Sequence, residues 1–208
     1  MPPTPPAPLT LQLNDGSVVT VRSLVPADRQ HLAEAYRRLS PQARYNRFWT
    51  HTGEVIGEKM LDRLLDLRPA THQAWAVLDS SRPFPGVAVA SWWRNVNFPD
   101  EAEFSATVLD GDHGRGIGTL LLAVLWLTAY REGVRHFVAY SLTENRQAVR
   151  WMLACGAQGQ WDGYQNVYRW DLGNLDLLPA TLAAADLAHW LDRLAGAFLD
   201  IKQGTEDS

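Results

Sequence analysis

The sequence predicts a mixed α/β (α+β) domain built on a central sheet. Three observations carry that prediction. Apolar and polar residues alternate on both sides of Asn14-Asp15-Gly16, and HQAWAVLD, GVAVASWWRN and AEFSATVL read as further strands. Residues 179–201 repeat their apolar positions at helical spacing. Between a strand pattern and a helix pattern stands DHGRGIGTLL, with three glycines and an arginine in ten residues, the layout of a strand–helix–strand unit.

Taken in order, residues 1–8 are a proline-rich tail expected to be mobile. Asn14-Asp15-Gly16 makes a hairpin turn, its glycine free to take positive φ. Asp28 opens a helix over 28–39, and Ser40 followed by Pro41 is the N-cap and first residue of another. A third helix is expected over 54–67, with Val55, Met60, Leu61, Leu64 and Leu65 on one face. After the three strands come a helix over 118–131, the strand VRHFVAYSL, a helix over 145–154 and the strand YQNVYRWDL. Leu187, Trp190, Leu191, Leu194, Phe198 and Ile201 then mark a closing amphipathic helix. No repeat or interdomain linker is visible. The chain divides into the tail 1–8, a domain over 9–178, and the C-terminal helix and tail over 179–208. That last helix either caps the sheet within one chain or pairs with a second copy, so a monomer and a homodimer both stay open.

At 208 residues the chain suits one domain with a full core. A net charge of −4, with no dense Lys/Arg run, argues against nucleic acid as a partner. The single cysteine, Cys155, rules out an internal disulfide and reads as a buried structural residue. The N-terminus lacks the basic and apolar regions of a secretory signal, and TLLLAVLWLTAY is too short to span a bilayer. A cytoplasmic protein without membrane contact is therefore expected. The histidines lack ligand spacing, so no metal is assigned.

The glycine stretch fails two familiar phosphate motifs. Gly111 and Gly116 have P-loop spacing, but Ile117 stands where lysine is required; Gly114-x-Gly116 begins a dinucleotide fingerprint, but Thr119 replaces its third glycine. What is left is a short loop entering a helix. Its successive backbone N–H groups form an anion nest at the positive end of the helix dipole. The alternative is a tight packing turn.

The next strand and helix bear on that choice. AEFSATVLDGDHGRGIGTLL followed by VRHFVAYSLTENRQAVRWMLACGA resembles the GNAT superfamily of acetyl-CoA-dependent N-acetyltransferases. The family's Gln/Arg-x-x-Gly-x-Gly/Ala motif corresponds to His113 through Gly118, and its second motif to Asn145, Ala148, Gly156 and Ala157. LSPQARYNRFW, and a glutamate ten residues before the first motif position (Glu103 before His113), are similar to the catalytic domain of Pat-type bacterial protein lysine acetyltransferases. The resemblance covers at least residues 74–172. It implies the GNAT fold: a mixed, mostly antiparallel sheet with splayed fourth and fifth strands, flanked by helices. From its length, no regulatory domain is expected beside it.

The resemblance also implies a chemistry. The cofactor would be acetyl-CoA and the acceptor an amine, a protein lysine or a small molecule. The diphosphate would lie on the amides of Gly114, Arg115, Gly116, Ile117, Gly118 and Thr119. Arg115 would add charge, and His113 replaces the family's Gln or Arg. Thr107 and Val108 would offer backbone groups to the pantetheine. Asn145 would bond the cofactor's amide arm, or else simply cap its helix. A lysine amine has a pKa of about 10.4, so about one in a thousand is nucleophilic at neutral pH, and a general base is useful. Glu103 is the candidate, with Glu101 its competitor. Glu103 would need burial, for which Trp92, Trp93 and Phe104 could supply apolar surroundings, or a water relay. Met152 stands where many family members have a tyrosine acid, and a thiol of pKa about 8.5 can leave without one. Two alternatives stay open: a non-catalytic acyl-CoA-binding module, and an enzyme for succinyl or longer acyl transfer, which would need a roomier or more basic acyl pocket.

Overall fold

The computed structural model describes residues 6–51 and 53–199. The first five residues of the predicted tail, and the predicted helix end at Ile201, lie outside that range. An eight-stranded sheet runs in the order β1-β2-β3-β4-β5-β6-β8-β7. Its strands are β1 (Leu9–Gln12), β2 (Val18–Ser23), β3 (His72–Leu78), β4 (Gly86–Arg94), β5 (Glu101–Val108), β6 (His136–Ser141), β7 (Gln158–Trp161) and β8 (Asn166–Asp171). Every neighbouring pair is antiparallel except β5 and β6. That parallel pair needs a crossover helix, which the glycine stretch begins.

The crossover helix, α4 (Ile117–Arg131), is apolar on all sides, and Leu120, Leu121, Leu122, Val124 and Leu125 are fully buried. A helix of that kind must be covered on both faces. The sheet covers one. The other is covered by α6 (Leu182–Leu199), whose Leu187, Trp190, Leu191, Leu194 and Phe198 join the same core. Phe198 meets Trp75 of β3 edge-on, with ring centroids 5.3 Å apart. Thr181 caps α6 by accepting from the Ala184 N–H at 3.1 Å. The C-terminal helix is thus packed within its own chain.

The opposite face of the sheet carries α1 (Arg29–Arg38), α2 (Pro41–Phe48) and α3 (Glu58–Leu64) over a separate cluster around Leu32, Tyr36, Leu39 and Leu61. Ser40 caps α2 as expected, its hydroxyl accepting from the Ala43 N–H at 3.1 Å. The third helix is shorter than the predicted span of 54–67. It starts after Gly57, and Val55 is 80% exposed, so its apolar side chain adds nothing to the helix face. One strand went unpredicted: β7 exposes all four residues, QGQW, so no apolar alternation marks it. Helix α5 (Arg146–Ala154) precedes it.

Candidate active site

The β5–β6 pairing is short. It runs from Glu101↔His136 to Glu103↔Val138 and then stops. Beyond it the two strands part, and a groove of about 1030 Å³ passes between them. The groove reaches from the loop over residues 113–119 to Glu103, and α2 forms one wall through Asn46, Arg47 and Phe48. The helix α2 is held there through Ser40, whose backbone N–H donates to Asp110 at 3.0 Å.

At one end lies the glycine loop. Gly114 and Gly116 have φ of 79° and 81°, a conformation that favours glycine. The first ladder bond of α4 is Leu120 N–H to Gly116 O at 3.0 Å, so the amides of Ile117, Gly118 and Thr119 precede the ladder. The side chains of Ile117 and Thr119 are buried on the core side. Thr119 Oγ1 accepts from Trp151 Nε1 at 3.1 Å, and Gly118 backs onto the same indole. Helix start, dipole and amides together give this loop the backbone chemistry that an anion site needs.

The Arg115 side chain lines the groove but is held by neighbours within its own chain. Its guanidinium bonds Asp15 and Asp79, at 2.9 and 2.8 Å, along with Asp112 and the Ser17 hydroxyl. Three carboxylates already answer its charge. They raise its pKa against the lowering effect of burial, and Asp15 in turn is held down to about 2, first by Ser17 and then by Arg115. Arg115 therefore ties the hairpin turn to the loop instead of facing the groove as a free cation. His113 also turns inward, donating from Nε2 to the Val108 carbonyl at 3.1 Å.

Backbone directions along β5 refine the expectation for Thr107 and Val108. Asp100 O accepts from the His136 N–H, whereas the Leu109 N–H donates to Val87 O. The register with β4 is unbroken between these points, so even-numbered residues aim their main chain at the gap and odd-numbered ones at β4. Ala106 therefore aims both backbone groups at the groove, Phe104 its carbonyl beyond the last ladder bond, and Val108 its N–H, its carbonyl being taken by His113. Thr107 offers only its side chain, a correction set by strand parity. Asn145 caps α5, its Oδ1 accepting from Ala148 N–H at 3.4 Å, while still lining the groove.

At the other end is Glu103. It is exposed, so of the two conditions named for it, burial or a water relay, burial is not met. Trp92 and Phe104 lie on the opposite face of the sheet; only Trp93, its cross-strand partner, shares its side. Among the described residues Glu103 has no hydrogen-bond or ion-pair partner. Glu101 is engaged, accepting from Asn95 Nδ2 at 3.0 Å and pairing with Arg169. Arg47 is half-buried near Glu103; burial lowers its pKa, Glu103 raises it and Arg63 lowers it further.

Two residues of this end were missed from sequence. Arg47 shares the groove with Glu103 because α2 forms one of its walls. Tyr140, on β6, lines the groove and is 40% exposed. Burial pushes its phenol up, and the Glu103 carboxylate adds to that. Met152 lines the groove where the family tyrosine would stand. Cys155 is buried, with its thiol raised to about 11 by burial, a poor nucleophile. No cluster of three or more metal-ligating side chains occurs, and no helix is long and apolar enough to cross a membrane, among the described residues.

No family model matches the chain. It is 28% identical over 150 residues to Acetyltransferase Pat of Mycolicibacterium smegmatis, covering 72% of this chain and 44% of that protein. The chain thus spans less than half of that relative. A second acetyltransferase, from Pseudomonas aeruginosa, is 27% identical over 151 residues, 72% of this chain and 80% of its own length. In structure, the GNAT domain of S. lividans PAT superposes with a TM-score of 0.73 at 22% identity, over 79% of this chain and 96% of that domain. A putative acetyltransferase from Salmonella typhimurium, solved with its cofactor acetyl-CoA, gives a TM-score of 0.57 at 18% identity, over 74% of this chain and 94% of that one.

Proposed function

For this chain, a GNAT-fold relative of the Pat-type acetyltransferases, we propose an acetyl-CoA-dependent N-acetyltransferase acting on a primary amine. The observation that carries the reading is one groove joining the backbone amides at the start of α4 to Glu103, a carboxylate with no hydrogen-bond or ion-pair partner among the described residues. The diphosphate would lie on the amides at the start of α4. The pantetheine arm would follow the splay and extend the edge of β5 through the main chain of Ala106 and Phe104. The thioester would then arrive beside Glu103.

The reaction needs few groups. The neutral amine attacks the thioester carbonyl carbon, the C–N bond forms, the C–S bond breaks, and the electron pair leaves on sulfur. One proton leaves the nitrogen. Because Glu103 is exposed, it takes that proton through an ordered water as readily as by contact. The Tyr140 hydroxyl, on the strand across the splay, is the groove-lining phenol that would return a proton to the thiolate. A protein lysine is the acceptor that the Pat resemblance favours.

The test is thiol release from acetyl-CoA against a panel of lysine peptides and small amines, with Glu103→Gln, Glu101→Gln and Tyr140→Phe beside the wild type. Glu103→Gln is expected to lower turnover by roughly 10²–10⁴ at neutral pH and to recover partly as pH rises, with acetyl-CoA affinity unchanged. Wild-type turnover in Glu103→Gln would move the base elsewhere. Binding of CoA without turnover for any acceptor would favour a non-catalytic module.

A further inference from the structure

A second cavity lies beside the groove. It holds about 220 Å³ between the sheet and the helices α1–α3. Its floor is Ala74 and Ala76 of β3 with Val89 of β4; its roof includes Leu32, Ala35 and Ile56. The small side chains at Ala35, Ala74 and Ala76 leave the space open. Arg47, Phe48, Ser105 and Thr107 line both this cavity and the groove, so the two spaces adjoin across these side chains, two of them on β5, the strand that carries Glu103.

We propose that this cavity is an acyl-chain pocket, and that the chain's preferred donor carries an unbranched aliphatic acyl group of about six carbons. The proposal rests on the acyl-CoA reading above and names its donor class. The size follows from comparison: a dry apolar cavity of about 150 Å³ accepts benzene, so about 220 Å³ accommodates a somewhat longer hydrocarbon.

Charge decides between the acyl chain and the acceptor as occupant. The cavity's one carboxylate is Asp28, which is bidentate to Arg22 at 2.6 and 2.7 Å. At the shared wall stands Arg47, a cation that a protonated amine must pass. An ammonium group entering here would lose water, meet a like charge and find no free carboxylate. An alkyl chain loses only unfavourable contact with water. The amine then approaches from the exposed side of Glu103, and the chemistry at the thioester carbon is unchanged.

The experiment titrates the full chain with CoA, acetyl-CoA and hexanoyl-CoA by calorimetry. Each further buried methylene is worth roughly a three- to fourfold gain, so hexanoyl-CoA should bind about tenfold or more tighter than acetyl-CoA. Filling the cavity from the floor with Ala76→Phe, or from the roof with Ala35→Leu, should reduce that advantage to about threefold or less. CoA itself should bind both folded variants as it binds wild type. Equal or weaker binding of hexanoyl-CoA to wild type overturns the proposal while leaving the acyl-CoA reading intact, and this comparison decides even if a filled variant fails to fold. An advantage that survives both fillings also overturns it. Failure of all three ligands to bind sinks the acyl-CoA reading, and this proposal with it.

Discussion

The two faces of the sheet are filled to different degrees. On one face α4 lies between the strands and α6, and its side chains from Leu120 to Leu125 are fully buried. On the other, α1–α3 cover a smaller cluster and leave a cavity of about 220 Å³. The anion loop belongs to the filled face, because its helix is that face's centre. The residues beside Glu103 that would meet a substrate belong to the loosely filled one. A site that relies on backbone amides needs atoms fixed to fractions of an ångström, and dense packing supplies this. A site that must admit variable groups is better served by a thinner layer.

Core truncation should give the largest effect and tests the contrast directly. Leu187 of α6 is fully buried against α4, so Leu187→Ala should cost about 4–5 kcal/mol, the upper part of the usual range. Leu32 already borders empty space and makes fewer contacts to lose, so Leu32→Ala should cost about 2 kcal/mol. Denaturant unfolding of both variants measures the difference. Equal costs would remove the claim that the two faces differ.

A smaller, local effect is expected at the loop. Gly114 has a positive φ, and a Cβ there would meet nothing within 4 Å. Asp and Asn both tolerate that backbone better than other residues. Gly114→Asp should therefore fold, yet place an anion beside the proposed diphosphate and weaken CoA binding by about 100-fold or more, by charge repulsion. Gly114→Asn, the neutral isostere, should lose only a few-fold. If calorimetry finds the two variants alike, the loop is not binding a diphosphate. Gly118 is a poorer probe, since its added Cβ would already stand in van der Waals contact with Trp151 at 3.5 Å, so the atoms of a longer side chain would meet the indole as well as the proposed diphosphate.

What was legible in the sequence divides along the same line. The loop, α4 and the strands on either side were readable because glycine conformation, helix starts and strand alternation are local properties. The fate of Arg115 was not, because its partners Asp15 and Asp79 lie far away in sequence. Glu101 and Glu103 look equivalent on one strand until Arg169 and Asn95 engage the first of them. Tyr140 enters the site only because β6 parts from β5, and pairing length is not written in β6 alone. The cavity arises from three alanines on two distant elements, Ala35 on α1 with Ala74 and Ala76 on β3, each unremarkable in its own segment. Side-chain roles set by distant partners are where local reading stops.

The smallest expected effect concerns the joint between hairpin and loop, and it is a pH effect. Asp15 titrates at about 2 in the folded protein, below its ordinary 3.8. Its contribution to stability is thus present above about pH 4 and is lost as pH falls towards 2. Asp79, also lowered by Ser81 and Arg115, adds to the same loss. The Asp15 side chain is 37% exposed, so solvent screens its pair with Arg115, and Asp15→Asn should cost under about 1 kcal/mol at neutral pH. The variant should accordingly show a shallower fall in melting temperature between pH 4 and pH 2 than the wild type. Asp79 is almost fully buried, so Asp79→Asn should flatten the same limb further and destabilise more at neutral pH. Because Arg115 holds the loop through these acids, CoA affinity should weaken slightly in Asp15→Asn and more in Asp79→Asn. Acid limbs indistinguishable from wild type in both variants would mean that the three-carboxylate joint does not hold the loop to the filled face.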